Sequence, residues 1–160
     1  MSSAKGLALV TGANGFIGAR TVEAFLLAGY SVRAAIRCPN SASGLLGALP
    51  SYAASGRLST AIVPDITAPG AFDEAVRGVA AIAHLASRVD FSNTNAEEVL
   101  GTALKGTLGI LDSAVKEPGL RSFVFMSSIV AVRGSDPRFE GRVFTEADWN
   151  DNAEDVTGIS

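Results

Sequence analysis

The chain has 160 residues, 48% of them hydrophobic and 18% charged, which is typical of one globular domain rather than a disordered segment. A net charge of -3 provides no basic surface for a nucleic-acid backbone, so we expect no nucleic-acid partner. Cys38 is the single cysteine, which excludes an internal disulfide and suits a reducing compartment. No apolar run reaches membrane-spanning length and no signal-peptide layout opens the chain, so we expect a soluble, cytoplasmic protein.

A glycine-rich turn follows the first predicted strand. Residues 7–10 are uniformly apolar, which favours a strand buried on both faces of a parallel sheet, and Gly12, Gly15 and Gly18 come next. Gly12 permits a tight turn, Gly15 a close approach of the backbone to a ligand, and Gly18 close packing of helix on strand. This pattern before a helix N-terminus predicts a pyrophosphate site for a dinucleotide, although a turn that simply needs glycine would look similar.

The helix after this turn should end at Gly29. Its predicted buried face consists of Ile17, Val22, Phe25 and Leu26. Residues 30–36 then read as a second strand, with Arg37 directly after it and no acid at this strand end. In a dinucleotide-binding fold, an acid here bonds the ribose 2′-hydroxyl, whereas an arginine suits a 2′-phosphate. Arg37 therefore predicts NADP(H) rather than NAD(H), with a solvated surface arginine as the alternative.

The middle of the chain contains a third strand. Residues 39–56 predict a short, irregular helix and residues 57–63 a strand, after which Asp65 lies where ligands gather in open α/β sheets. Asp65 could equally cap the next turn. Residues 67–77 predict a helix, because Pro69 suits a first helical turn.

The fourth predicted strand, residues 79–85, contains His84, the only histidine of the chain. A histidine inside an apolar strand is usually structural, so we do not expect it to be catalytic. Ala86 and Ser87 follow, and their small side chains would let the backbone pass close to a cofactor. No cluster of cysteine, histidine and carboxylate residues has the spacing of a metal site.

A long helix should begin at Asn95, which forms a capping-box spacing with Glu98, and end before residues 118–119. Three glycines in it indicate close packing or a bend. One face of this helix carries Leu100, Leu104, Leu108, Leu111 and Val115. A fifth strand, residues 121–126, precedes Ser127 and Ser128, whose hydroxyl groups could hydrogen-bond a substrate oxygen.

Strands therefore alternate with helices along the whole sequence. This pattern predicts an α/β fold, a Rossmann-type doubly wound parallel sheet of about five strands joined by right-handed crossovers. We expect residues 1–160 to form a single NAD(P)-binding domain.

Six segments in this order resemble the extended short-chain dehydrogenase/reductase family, in its branch of dihydroflavonol reductases and fungal NADPH-dependent aldehyde and ketone reductases. The segments are TGANGFIG, VRAAIR, PDIT, AHLAS, ALKGTLGIL and FVFMSSIVAV, between residues 8 and 132. The resemblance implies that Arg37 binds the 2′-phosphate, that Asp65 and Ile66 flank the adenine, and that Ala86 and Ser87 line the path to the nicotinamide. It places Gly12, Gly15, Phe16, Ile17 and Gly18 around the pyrophosphate.

Ser128 would match the family's catalytic serine, with Ser127 as a less favoured substitute. The family's chemistry also needs a tyrosine, the general acid, and a lysine four residues later. This chain has Tyr30 and Tyr52, both far upstream, and no lysine after Lys116. The resemblance thus implies that the domain 1–160 is incomplete at its C-terminal end, with the tyrosine, the lysine and the pocket for a small carbonyl substrate missing from the sequence. We therefore expect cofactor binding without significant catalysis. An uncovered flank of the fifth strand would then promote self-association.

Three alternatives to the N-terminal part of a carbonyl reductase remain open. A nucleotide-sugar epimerase or dehydratase of the same family is one, and Arg37 in place of an acid speaks against it. A non-catalytic module that binds or senses NADP(H) is the second, and a fragment from an incomplete gene model is the third.

Overall fold

A computed structural model of the protein describes residues 5–87, 95–133 and 141–151. The strands are β1 Leu7–Thr11, β2 Ser31–Ile36, β3 Leu58–Ile62, β4 Ala81–His84 and β5 Ser122–Phe125. The α-helices are α1 Phe16–Leu27, α2 Ser43–Ala48, α3 Pro50–Ala54 and α4 Ala96–Ala114. The five strands pair in parallel in the order β3-β2-β1-β4-β5, so the predicted Rossmann-type parallel sheet is confirmed.

Both faces of the central strands β1, β2 and β4 are largely buried, which explains why β1 is apolar at consecutive positions. Leu9 belongs to a core that includes Ile110 of α4, whereas its neighbour Val10 packs in a second core with Val22 and Leu26 of α1. Because successive side chains of a strand point to opposite faces, α1 and α4 cover opposite faces of the sheet.

The strand order reverses at β1, which pairs with β2 on one side and with β4 on the other. The chain leaves β1 toward the β2–β3 edge and later returns to the opposite side as β4. A crevice forms at the carboxyl ends of the strands where such a reversal occurs, and ligands bind there in open α/β sheets.

Residues 67–77 do not form the predicted helix but a series of turns. Pro69 suits a first helical turn, but Gly70 follows it with a φ of +69°, which leaves the right-handed helical region. The amide groups of Ala71 and Asp73 accordingly bond carbonyl groups three residues earlier, at Ala68 and Gly70. Arg33 of β2 holds this segment in place, because its guanidinium donates to the carbonyl oxygens of residues 75 and 77, both at 2.8 Å.

Other boundaries differ in smaller ways. Residues 39–56 hold a short 3₁₀ helix, Pro39–Ala42, followed by α2 and α3, rather than one irregular helix. The strands are one or two residues shorter than predicted at most ends. Strand hydrogen bonds stop where the backbone turns toward the next element, and apolar composition does not record that point.

Helix α4 begins as predicted, since the Asn95 side chain accepts a hydrogen bond from the Glu98 amide at 3.2 Å. Close packing at its glycines is also confirmed at one position: a Cβ on Gly106 would lie 3.0 Å from Ile66 Cδ1. The five apolar residues named above, from Leu100 to Val115, share a face, but each is exposed. We call them the α4 stripe; the helix packs on the sheet through Ile110 and Ala114 instead.

Candidate functional site

A cleft of about 940 Å³ lies at the carboxyl ends of β1 to β4, where the strand order reverses. Several residues predicted from the sequence line it together, namely Gly12, Gly15, Arg37, Asp65, Ile66, Ala86 and Ser87. The fold thus brings into one wall four segments that are up to 75 residues apart in sequence. The role of each residue toward a cofactor stays a prediction.

The glycine-rich turn has a geometry that needs glycine at two positions. Gly12 has a φ of +62°, in the left-handed region that favours glycine, and its carbonyl oxygen accepts the Gly15 amide at 3.0 Å. A Cβ on Gly18 would lie 2.0 Å from that same carbonyl oxygen, so helix and turn touch at this point. The sequence predicted that Gly18 allows the helix to pack closely on the strand. The structure shows the close contact between the helix and the glycine-rich turn instead.

The first turn of α1 has no side-chain cap, because its N-cap residue is Gly15. Its first turn also carries no acidic side chain. The amide groups and the positive end of the helix dipole consequently lie beside the cleft that Gly15 lines, an arrangement suited to an anion such as a pyrophosphate.

Phe16 and Ile17, which were predicted to surround the pyrophosphate, open α1 with their side chains in solvent. Their exposed fractions are 93% and 52%, and neither side chain belongs to the cleft lining. The prediction that Ile17 lies on the buried face of α1 is wrong. Gly18, the next residue, lies against the preceding turn instead: a Cβ on Gly18 would lie 2.0 Å from the Gly12 carbonyl oxygen.

Arg37 follows β2 directly and contributes to the cleft wall. Cys38 and Ser41 line the cleft beside it, and the Ser41 hydroxyl donates to the Cys38 carbonyl oxygen at 2.6 Å. Asp65 is the acidic residue of this lining; its Oδ1 accepts the amide and the hydroxyl of Thr67, at 2.8 and 2.7 Å. The Asp65 carboxylate therefore stabilises the turn after β3, the structural alternative that the sequence left open.

The cleft lining also includes residues that the sequence did not indicate as part of the site, among them Asn14, Cys38, Ser41 and Thr102. Asn14 sits inside the glycine-rich turn, so the motif itself was a signal for it. Thr102 belongs to α4, and no local pattern indicates that this helix reaches the carboxyl ends of the strands.

Ser127 and Ser128 follow β5 and are exposed outside the cleft lining. The Ser128 hydroxyl accepts the Val130 amide at 3.3 Å and thereby caps the 3₁₀ helix Ile129–Ala131. Its catalytic role stays a prediction. Within residues 5–87, 95–133 and 141–151, no cluster of three potential metal ligands occurs. None of the helices in these same ranges combines the length and apolarity needed to cross a membrane.

A parallel sheet whose first strand leads through a glycine-rich turn into an uncapped helix defines a Rossmann-type nucleotide-binding fold. The family model described as the NAD dependent epimerase/dehydratase family matches residues 8–152, and the chain belongs to this family.

Among curated proteins, the chain is 42% identical to aldehyde reductase 2 of Sporidiobolus salmonicolor over 146 residues, which cover 90% of this chain and 41% of that protein. It is 36% identical to the dihydroflavonol 4-reductase of Arabidopsis thaliana over 152 residues, covering 94% of this chain and 39% of that one. The chain thus spans less than half the length of these relatives.

Solved structures give the same picture. The structure of the yeast methylglyoxal/isovaleraldehyde reductase Gre2, complexed with NADPH, superposes with a TM-score of 0.79 at 29% identity. The aligned part covers 96% of this chain and 48% of that one. Vestitone reductase from alfalfa superposes with a TM-score of 0.73 at 33% identity, covering 94% of this chain and 44% of that one.

Proposed function

We propose that this chain is the NADP(H)-binding part of an oxidoreductase that reduces an aldehyde or ketone to an alcohol by hydride transfer. The observation that carries the proposal is the cleft, which joins the uncapped helix α1 behind Gly15 to the guanidinium of Arg37. The N-terminus of α1 is suited to a pyrophosphate, and the Arg37 guanidinium is suited to a further phosphate. Relatives that are named aldehyde reductase, or were solved with NADPH, support both the cofactor and the chemistry.

The choice of NADP(H) over NAD(H) depends on Arg37. A carboxylate at the end of β2 would repel a 2′-phosphate, and the chain has an arginine there instead. Arg33 on the same strand bonds two backbone carbonyl groups and has a structural role. Arg37, in contrast, stands at the cleft and exposed, where a phosphate can reach it.

Titration of the chain with NADPH and NADH tests this assignment. We expect NADPH to bind more tightly, and Arg37→Ala or Arg37→Asp to remove the preference. A charge-assisted hydrogen bond contributes about 1.5–3 kcal/mol, and the exposure of Arg37 favours the lower limit, so the loss in NADPH affinity should be on the order of tenfold. NADH affinity should change little in Arg37→Ala.

Arg77→Ala is the matched control. It removes the same charge, but from a side chain paired with Glu74 shortly before the amino end of β4. Its NADPH affinity should stay close to that of the unmodified chain. Equal affinities of the unmodified chain for NADPH and NADH would contradict the role of Arg37, and an absence of binding to either would contradict the proposed function itself.

The same proposal assigns no significant turnover to residues 1–160 by themselves. Ser128 would orient the carbonyl oxygen, but the family's tyrosine and lysine have no counterpart after it in this sequence. Loss of a general acid typically lowers a rate by about 10² to 10⁴. NADPH oxidation with a small aldehyde by the purified chain would contradict this assignment.

The intact mass of the polypeptide isolated from its source separates the remaining readings. A mass well above 16.4 kDa, with a tyrosine and lysine in the added sequence, supports the reductase. A mass of 16.4 kDa favours a non-catalytic module that binds or senses NADP(H) in the cytoplasm. An acidic residue at the position of Arg37 would have favoured a nucleotide-sugar epimerase or dehydratase. The arginine found there speaks against that alternative.

We also propose that the chain self-associates through its uncovered sheet flank. Strand β5 is the last in the strand order, and Val124, Phe125 and Met126 are exposed on it or directly after it. The α4 stripe exposes five more apolar side chains. Apolar surface of this extent in water favours association, and a second copy of the chain offers the same surface.

Sedimentation of the chain over a range of concentrations tests the self-association. We expect a monomer–dimer equilibrium that Val124→Lys, on the edge strand, shifts to the monomer. Val143→Lys replaces another exposed apolar residue, distant from β5 in sequence, and should leave the equilibrium unchanged. A monomeric unmodified chain, or equal effects of the two variants, would contradict the proposal.

A further inference from the structure

Thr11 and His84 form a buried hydrogen-bonded pair between the last residues of β1 and β4. The Thr11 Oγ1 and His84 Nδ1 atoms are 2.9 Å apart, and each residue is 1% exposed. The pair lies at the cleft wall, since Thr11 lines the cleft, as do Leu85 and Ala86 directly after His84. The cofactor assignment above leaves this pair without a role.

The hydrogen bonds around Thr11 determine the direction of this one. The hydroxyl oxygen accepts the amide groups of Leu85 and Ala86, both at 3.0 Å. A hydroxyl group has two acceptor lone pairs and one hydrogen, so these two bonds occupy its acceptor capacity. The hydrogen must therefore point to His84, and Nδ1 must accept it. His84 is neutral, with its proton on Nε2.

The surroundings of His84 maintain this state. Its ring meets Phe72 edge-on, with centroids 5.9 Å apart, and stacks on Phe125 at 6.0 Å. Burial lowers the pKa of His84 to about 4, and no charged group of any described element contributes to this shift. The imidazole thus stays an acceptor at neutral pH.

The Thr11 hydroxyl joins the two backbone segments that form the wall of the cleft. A Cβ added to Gly12 would lie 3.1 Å from the Ala86 amide nitrogen, so the glycine-rich turn and the segment after β4 run in contact. If the lone pairs of the Thr11 hydroxyl turned away, the amide groups of Leu85 and Ala86 would lose their acceptor, and the contact between the two segments would be weaker. An amide group left without a hydrogen bond lowers the stability of this arrangement.

We propose that His84 is a positioning residue for the cofactor: by accepting the Thr11 hydroxyl hydrogen, it aims the Thr11 lone pairs at Leu85 and Ala86 and so holds the glycine-rich turn in its binding conformation. This inference rests on the proposed binding of NADP(H). It also predicts that cofactor binding in the cleft weakens at acidic pH. A protonated imidazole carries hydrogen on both nitrogens, and Nδ1–H would then oppose a hydroxyl oxygen whose lone pairs are already in use.

Two pairs of variants test the proposal by fluorescence titration with NADPH. His84→Phe keeps a ring but has no acceptor, whereas His84→Asn can place its Oδ1 where Nδ1 lies. Thr11→Val keeps the shape without the hydroxyl, and Thr11→Ser restores it. We expect dissociation constants about tenfold higher for His84→Phe and Thr11→Val, and recovery to within about threefold for His84→Asn and Thr11→Ser. Thermal melting identifies any variant that fails to fold, and the threonine pair then decides the outcome.

The pH profile separates positioning from a merely structural role. NADPH affinity of the unmodified chain should fall as the pH drops below about 5, toward the His84 pKa of about 4, and more steeply than that of His84→Asn, which shares every other titrating group. Because the chain has one histidine, ¹⁵N spectra of its imidazole report the tautomer without overlap. They should show a bare Nδ1 and a protonated Nε2 at pH 7, with or without cofactor.

The outcomes distinguish this inference from the proposed function. An unmodified chain that binds no NADPH overturns both. Binding by the unmodified chain, with His84→Phe equal to His84→Asn and Thr11→Val equal to Thr11→Ser, overturns the positioning role only. A protonated Nδ1 at pH 7 also overturns it, because Thr11 could not then donate to His84.

Discussion

Gly18→Ala should be strongly destabilising, although alanine is usually the better residue inside a helix. The added Cβ would lie 2.0 Å from the Gly12 carbonyl oxygen and 2.9 Å from Ala13 Cα. Real Cβ atoms do not approach backbone this closely, so turn and helix must separate by about 1 Å. The Gly12 carbonyl is held by the Gly15 amide, and Gly12 itself has a φ of +62°, so the turn has little freedom to move.

The magnitude follows from these contacts. Overpacking of this kind costs about 1–3 kcal/mol, and a lost backbone hydrogen bond costs about 0.5–1.5 kcal/mol more. The better helix propensity of alanine recovers at most about 1 kcal/mol. We therefore expect the free energy of unfolding to fall by about 2–3 kcal/mol, which for a domain of this size lowers Tm by about 4–12 °C.

Gly101→Ala is the control, measured beside Gly18→Ala by urea unfolding and thermal melting. Gly101 is also helical, in α4, but a Cβ there meets no atom within 4 Å. This variant should gain up to about 1 kcal/mol from helix propensity. If Gly18→Ala were as stable as Gly101→Ala, the close contact between α1 and the glycine-rich turn would be refuted. NADPH affinity should fall in Gly18→Ala and stay unchanged in Gly101→Ala.

Three further predictions concern stability. Burial lowers the pKa of His84 to about 4, whereas the unfolded chain takes up this proton near pH 6.5. The free energy of unfolding should therefore fall by about 3 kcal/mol as pH drops from 7 to 4. The same pH dependence of the unfolding free energy in His84→Asn would contradict this. Asn95→Ala should cost about 1 kcal/mol of unfolding free energy and Asn95→Ser much less, because Asn95 caps α4; equal Tm values would argue against the cap. The amides of Gly78 and Gly119 lower the pKa of Glu117, so stability should be lost as pH falls below about 4.5, and Glu117→Gln should reduce this acid dependence of Tm.

Much of the fold is recoverable from the sequence because the sheet is parallel and its central strands are covered on both faces. Strands buried in this way are continuously apolar, and the periodicity changes at each helix. The cap at Asn95 was also predictable, because it depends only on a side-chain acceptor three residues before the amide that it binds. The structure of residues 67–77 was not predictable in this way, because Pro69 predicts a helix start but the following Gly70 adopts a positive φ.

The α4 stripe shows a second limit. Apolar spacing states that these residues share a face, but not which side of the helix meets the sheet. Gly106 contributes to that choice, because a Cβ there would lie 3.0 Å from Ile66 Cδ1, and its absence lets Ile66 lie against the helix. The packed face is consequently the one with small residues and Ile110, and the leucine-rich face is exposed.

The sequence by itself determined the glycine-rich turn, the parallel α/β order and the arginine after β2, since each depends on residues close together in the chain. The tertiary structure decided which of these share a cleft, and it added Asn14, Ser41 and Thr102 to its wall. It alone showed that Thr11 and His84, 73 residues apart, share one hydrogen bond. The register of two neighbouring strands creates that contact, and local composition carries no record of it.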